Sequence, residues 1–177
     1  MFARIAFLFL LSSLVNQNAH GPINPNSRFL HEQLRFGSRY ESVVRFLLAK
    51  NRSVDEQSQN PFIRKEASTF LIAYTDTVFE KRVGISLTFS KEDSGLKSIN
   101  LIFLAMDPKT RKPVVNGENA IESLWDSLST HWGAPRTDKS IPLIAKKREW
   151  SLPSAEIQMT WLMSGSSILT VTYSSPR

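Results

Sequence analysis

The chain has 177 residues, a formal net charge of +6 and no cysteine. The missing cysteine excludes disulfides, thiol catalysis and zinc–thiolate sites, so stability has to come from a packed core. The positive balance favours anionic partners, but the cations lie in scattered short clusters, among them Arg64-Lys65, Lys81-Arg82 and Lys146-Lys147-Arg148. That is not the dense basic stripe with interleaved aromatics of a nucleic-acid binder.

Met1–Ala19 has the pattern of an export signal. Arg4 precedes the unbroken apolar run Ile5–Leu11, Leu14-Val15 extends it, and Asn16–Ala19 is polar with a small last residue. An apolar core of about eleven residues suits a signal and falls short of a bilayer-spanning helix. Cleavage is expected after Ala19, which leaves 177 − 19 = 158 residues with 21 basic and 16 acidic groups, a net charge of +5. With no cysteine at the cut for lipid attachment, the expectation is a soluble periplasmic or secreted protein without a transmembrane anchor.

His20–Asn26, with two prolines and a glycine, is expected to be a flexible leader. The N-terminal leader as a whole is placed at 20–35, and 27–36 suits either a strand or a short helix. Ser38 and Glu41 have capping-box spacing after Gly37, and Val43, Val44, Leu47 and Leu48 repeat at helical period. This predicts an amphipathic helix over 39–50, followed by a polar loop. Residues 69–79 are rich in β-branched and aromatic types, and Val83, Ile85, Leu87 and Phe89 alternate with small residues. Two strands follow from this, and a turn at Asp93-Ser94-Gly95 leads to a third over 96–106.

Asn119 and Glu122 repeat the capping spacing. Ile121, Leu124, Trp125, Leu128 and Trp132 form the strongest helical stripe, closed by Gly133 and Pro135. Strands are predicted over 144–152, 156–163 and 168–174, the last two joined through Ser164-Gly165-Ser166. The expected fold class is α+β: two helix-plus-three-strand units with the helices packed on an antiparallel sheet. One domain is expected over 36–177, with a possible pseudo-repeat between 36–106 and 118–175.

Phe36-Gly37-Ser38 with Glu41, Val43 and Val44, the hairpin over 82–103, and Trp132-Gly133-Ala134-Pro135 with Trp150 resemble small exported α+β modules. Such modules are similar to SmpA/BamE-type envelope proteins and to the duplicated β-lactamase inhibitory protein. The resemblance implies a scaffold whose members mostly bind other proteins. The chain departs from it in lacking the lipidated cysteine of the first group and the disulfides of the second, and no functional residue carries over.

Chemistry is sparse. There is no HExxH, no nucleophile elbow, no phosphate loop and no dinucleotide fingerprint, so neither metal nor cofactor is expected. Glu118, Glu122 and Asp126 line one helix face and read as solvated, and His131 sits near the helix end. The expected contact surface is Trp132, Lys146, Lys147, Arg148 and Trp150, an aromatic–basic set of the kind found at interface hot spots. The expected function is a soluble exported binding protein, such as an inhibitor, immunity factor or accessory protein. Its partner would be a protein or an anionic component of the cell envelope. The alternatives are an envelope hydrolase using Glu122, Asp126 or His131, and a small-ligand carrier.

Overall fold

The computed structural model describes residues 21–56, 68–104, 117–163 and 168–176. The expected signal (1–19) and the turn at 164–166 lie outside the described residues. Two α-helices are present among the described residues, α1 (Tyr40–Ala49) and α2 (Gly117–Trp132). The strands are β1 (Asp55–Glu56), β2 (Thr69–Val78), β3 (Lys81–Ser90), β4 (Leu96–Leu104), β5 (Thr137–Ile141), β6 (Ala145–Leu152), β7 (Ala155–Leu162) and β8 (Ile168–Ser174).

All of them belong to one antiparallel sheet in the order β1-β2-β3-β4-β8-β7-β6-β5, in which β1 is only a two-residue edge. This corrects the expected α+β class. The fold is predominantly β, a single sheet with two helices, not two helix-plus-three-strand units. The reason is the central seam. β4 and β8 pair along Ser98–Leu104 and Ile168–Ser174, so the backbone ladder runs unbroken from one edge to the other.

Alternation along each strand buries one face only. Register sets Ile72, Leu87, Ile99, Tyr173, Ile157 and Trp150 level with one another across six strands, and all are buried. Both helices lie on this face. Tyr40 of α1 meets Phe70 and Phe89 edge-on, and Trp125 of α2 lies against Trp161. The opposite face carries Ser86, Asn100, Thr172 and Gln158 in one row, with Thr172 Oγ1 donating to Asn100 Oδ1 at 2.9 Å.

Three local expectations change. The Ser38–Glu41 capping box does not form; Arg39 is the N-cap, with no side-chain hydrogen bond. The start of α1 is tied instead to the β3–β4 turn, where Tyr40 N–H donates to Ser94 O and Gly37 N–H to Leu96 O. Gly37 takes φ +78° at that bend, a conformation costly for other residues. Within the stretch expected to be a flexible leader, 20–26, Ile23 is already buried, and the segment that follows packs in the covered layer. Ile23, Phe29, Leu34 and Phe36 are buried, and Leu30–Gln33 forms a 3-10 turn. Strand β5 arises where no strand was expected, because an exposed edge strand carries no apolar alternation.

The seam sets a stability test. Leu101 is fully buried on the covered face of β4, and its neighbour Ile102 is 42% exposed on the other. Leu101→Ala is expected to lower the unfolding free energy by about 2–5 kcal/mol, from lost burial and the cavity left behind. Ile102→Ala should cost under about 1 kcal/mol. Urea titrations of the two variants check this.

Candidate functional site

Titratable groups converge at one place in the covered layer. The 3-10 turn presents His31 and Glu32, the C-terminal end of α2 presents His131 and Trp132, and the middle of the sheet presents Tyr173 from β8. The Glu32 side chain is 2% exposed. Its carboxylate accepts from His131 Nε2 at 3.1 Å to each oxygen, from Trp132 Nε1 at 3.2 Å and from the Tyr173 hydroxyl at 3.2 Å. The Tyr173 hydroxyl also lies 3.0 Å from His31 Nε2. Since Tyr173 gives its one proton to Glu32, His31 Nε2–H is the donor in that contact, and its Nδ1 is left bare and buried.

Burial alone pushes the Glu32 carboxyl up. Hydrogen bonds from His131 and Ser27, and the charges of the two histidines, outweigh it and hold the group at about 2. Burial pushes His31 down to about 4 against the pull of Glu32 and Asp76. Burial, and then the neighbouring Glu32 charge, drives Tyr173 well above the ordinary phenol range. The node is therefore an ionised carboxylate saturated by donors, beside a neutral histidine and a neutral tyrosine.

An open groove of about 470 Å³ adjoins it, lined by Arg28, Phe29, Phe79, Lys81, Ser123 and Ser127 among others. The guanidinium of Arg28 lies 5.0 Å and 5.2 Å from the ring centroids of Phe29 and Phe79. Those two rings meet the His131 ring edge-on. Glu122 and Asp126 are exposed on α2 and take no part in the node. No group of three or more metal-ligating side chains occurs among the described residues. Nor is any described helix long and apolar enough to cross a membrane.

The five expected contact residues do not share a surface. Trp150 is 2% exposed, its indole N–H donating to Gly133 O at 2.9 Å, and it packs on half-buried Trp132 at 5.0 Å. Arg148 is drawn inward, 4.8 Å from the Trp125 ring centroid and bonded to Ser129 Oγ and Asp138 Oδ2. Lys146 Nζ lies over Trp161 on the same face. Lys147 projects from the opposite face and pairs with Glu149 at 2.8 Å. The two lysines remain at the surface, beside a hairpin end that carries exposed Ile141 (56%), Leu143 (89%) and Ile144 (53%).

Sequence reasoning missed Glu32, His31 and Tyr173. A tyrosine on the buried face of a strand needs a polar partner, and that requirement was the available signal. No protein-family model, no curated protein and no solved structure matches the chain.

Acid titration tests the node. Glu32 titrates near 2 when folded against an ordinary 4.5, so its contribution is complete above about 4.5 and is lost as pH falls toward 2. Glu32→Gln is expected to destabilise the fold by about 2–3 kcal/mol at pH 7. Its deficit should narrow below pH 4.5, as urea midpoints across pH will show. A second comparison concerns hydroxyls. Tyr74 has a buried hydroxyl with no hydrogen-bond partner among the described residues. Tyr74→Phe should therefore be neutral or stabilising, while Tyr173→Phe should cost about 1–3 kcal/mol, read from thermal and urea unfolding.

Proposed function

We propose that the protein is a soluble, exported binding domain without catalytic activity, acting on a macromolecular partner in the cell envelope. The observation that carries this reading is the β5–β6 hairpin end. There Ile141, Leu143 and Ile144 stand exposed beside Lys146 and Lys147. Contiguous exposed aliphatic surface next to cations marks an interaction site. The export pattern of residues 1–19 supports a periplasmic or secreted location. Lys146 and Lys147 stay in the contact set, joined by the three apolar residues, whereas Trp132, Arg148 and Trp150 serve the interior.

One observation favours the hydrolase alternative, namely the Glu32–His131 pair beside the Arg28–Phe79 groove. A carboxylate orienting a histidine is the base half of an acid–base site. Here Nε2 is taken up by both oxygens of Glu32, so a substrate would have to reach Nδ1 from the groove. The closed network favours a structural role for the pair.

Photo-crosslinking in cells tests the binding reading. A photoreactive residue replacing Leu143 should give an adduct with an envelope component, lipid or protein. The same residue replacing Ser42, exposed on α1, should give none. The chain recovered from the envelope fraction should have the mass of a form cut after Ala19. An uncut cytoplasmic chain, or no adduct from position 143, would overturn it.

A further inference from the structure

From Lys139 to Arg148 the β5–β6 hairpin carries four cations and no carboxylate, while flanking Asp138 and Glu149 pair with Arg148 and Lys147. Its end is aliphatic. Ile141 and Ile144 close the turn through a 3.1 Å backbone hydrogen bond, and Leu143 projects between them. Register extends the apolar end across the sheet, with Ile141 level with Ala145, Leu162 and Ile168. Leu162 is also exposed. Two residues back on the same face, Lys139 is level with Lys147. Lys146 stands on the opposite face, over Trp161 at 4.8 Å. The hairpin thus ends in an apolar point with lysines behind it on both faces: at the strand rise per residue, Lys146 stands about 3 Å and Lys139 and Lys147 about 7 Å back from the Ile141–Ala145 pair.

We propose that this end docks on an anionic lipid bilayer. Leu143, Ile141 and Ile144 enter the headgroup–acyl boundary, and Lys139, Lys146 and Lys147 meet the headgroup phosphates. The proposal rests on the binding reading above and names its envelope partner.

Three features select a bilayer over a protein. The setback of Lys139 and Lys147 from the point matches the depth of roughly 5–10 Å at which interfacial segments bury their apolar side. The composition is aliphatic residues with lysine, whereas protein interfaces are enriched in tyrosine, tryptophan and arginine and depleted in lysine. The end is a tight turn with three exposed aliphatic side chains, which a fluid bilayer accepts without a matching pocket. Leu143 also adopts φ +60°, a conformation that glycine or asparagine takes at less cost. At 89% exposure a leucine there gains little from packing among the described residues.

The absence of cysteine makes the test site-specific. In the full chain, Leu143→Cys and, as a control, Ser42→Cys are each labelled with an environment-sensitive fluorophore. Each is mixed with phosphatidylcholine vesicles with or without about one-third phosphatidylglycerol. The apolar stretch 5–15 is common to every variant, so the readout is taken at the hairpin and not from bulk partition.

The expected result is a blue shift at position 143 and none at 42, with anionic vesicles only, suppressed by high salt. With the label moved to Ser140→Cys, Leu143→Gly should keep the unfolding temperature of the parent or raise it. The same variant should weaken the vesicle response about tenfold or more. No shift at 143, equal shifts at both positions, or a response indifferent to Leu143→Gly overturns the proposal. If vesicles leave the label unchanged while position 143 crosslinks to an envelope protein, the lipid assignment falls and the binding reading stands. If neither occurs, both fall.

Discussion

The carboxylate of Glu32 holds the covered layer together. An ionised carboxylate withdrawn from water costs several kcal/mol unless its lone pairs are filled. Here they are filled from two directions, by the end of α2 through His131 and Trp132 and by the sheet through Tyr173. The segment carrying Glu32 is a single 3-10 turn with few backbone bonds of its own. It keeps its place through this node and through the side chains of Ile23, Phe29, Leu34 and Phe36. Removing the charge loosens the N-terminal segment and the helix exit and leaves the His131, Trp132 and Tyr173 donors without their acceptor at once. The coupling is therefore larger than any one of its hydrogen bonds.

The node matters because, among the described residues, the sheet is covered on one side only. Beside the two helices, the N-terminal segment adds to the layer over the middle of the sheet, where His31 and Glu32 meet Tyr173 of β8. On the bare side, residues of the same strands are hydroxyls, amides and charges that water solvates, with side-chain bonds such as Thr172 to Asn100 added across the seam. The edges are managed differently. β1 has two residues, and β5 exposes Asp138 and Lys139, which discourage pairing with another chain.

Strand periodicity made much of this legible. The alternation in Val83–Phe89 and in Ile157–Met163 marked strands, and β8 has the bounds expected from its pattern. Helical spacing placed α1 and α2 to within about two residues. Pairing between distant strands leaves no mark in local sequence, so the β4–β8 seam that merges two expected units was invisible. The capping box failed because α1 starts one residue later, with Arg39 as N-cap, and the Tyr40 N–H goes to Ser94 O in the β3–β4 turn. The expected contact residues divide by an alternation that could have been read: neighbours along a strand face opposite ways, so Lys146, Arg148 and Trp150 part from Lys147. Glu32 was beyond reach, since its partners lie 99, 100 and 141 positions away.

Two large apolar residues in left-handed turns separate structural from functional strain. Phe79, at φ +46° in the β2–β3 turn, lays its ring 5.0 Å from Phe29 and 5.9 Å from His131, so packing in the covered layer offsets the backbone cost. Leu143, at φ +60° in the β5–β6 turn, has the same backbone problem and no such offset at 89% exposure. A strained turn residue that packs inward is explained by the fold. One that points outward, among exposed isoleucines and ahead of lysines on both faces, is explained by something the fold meets.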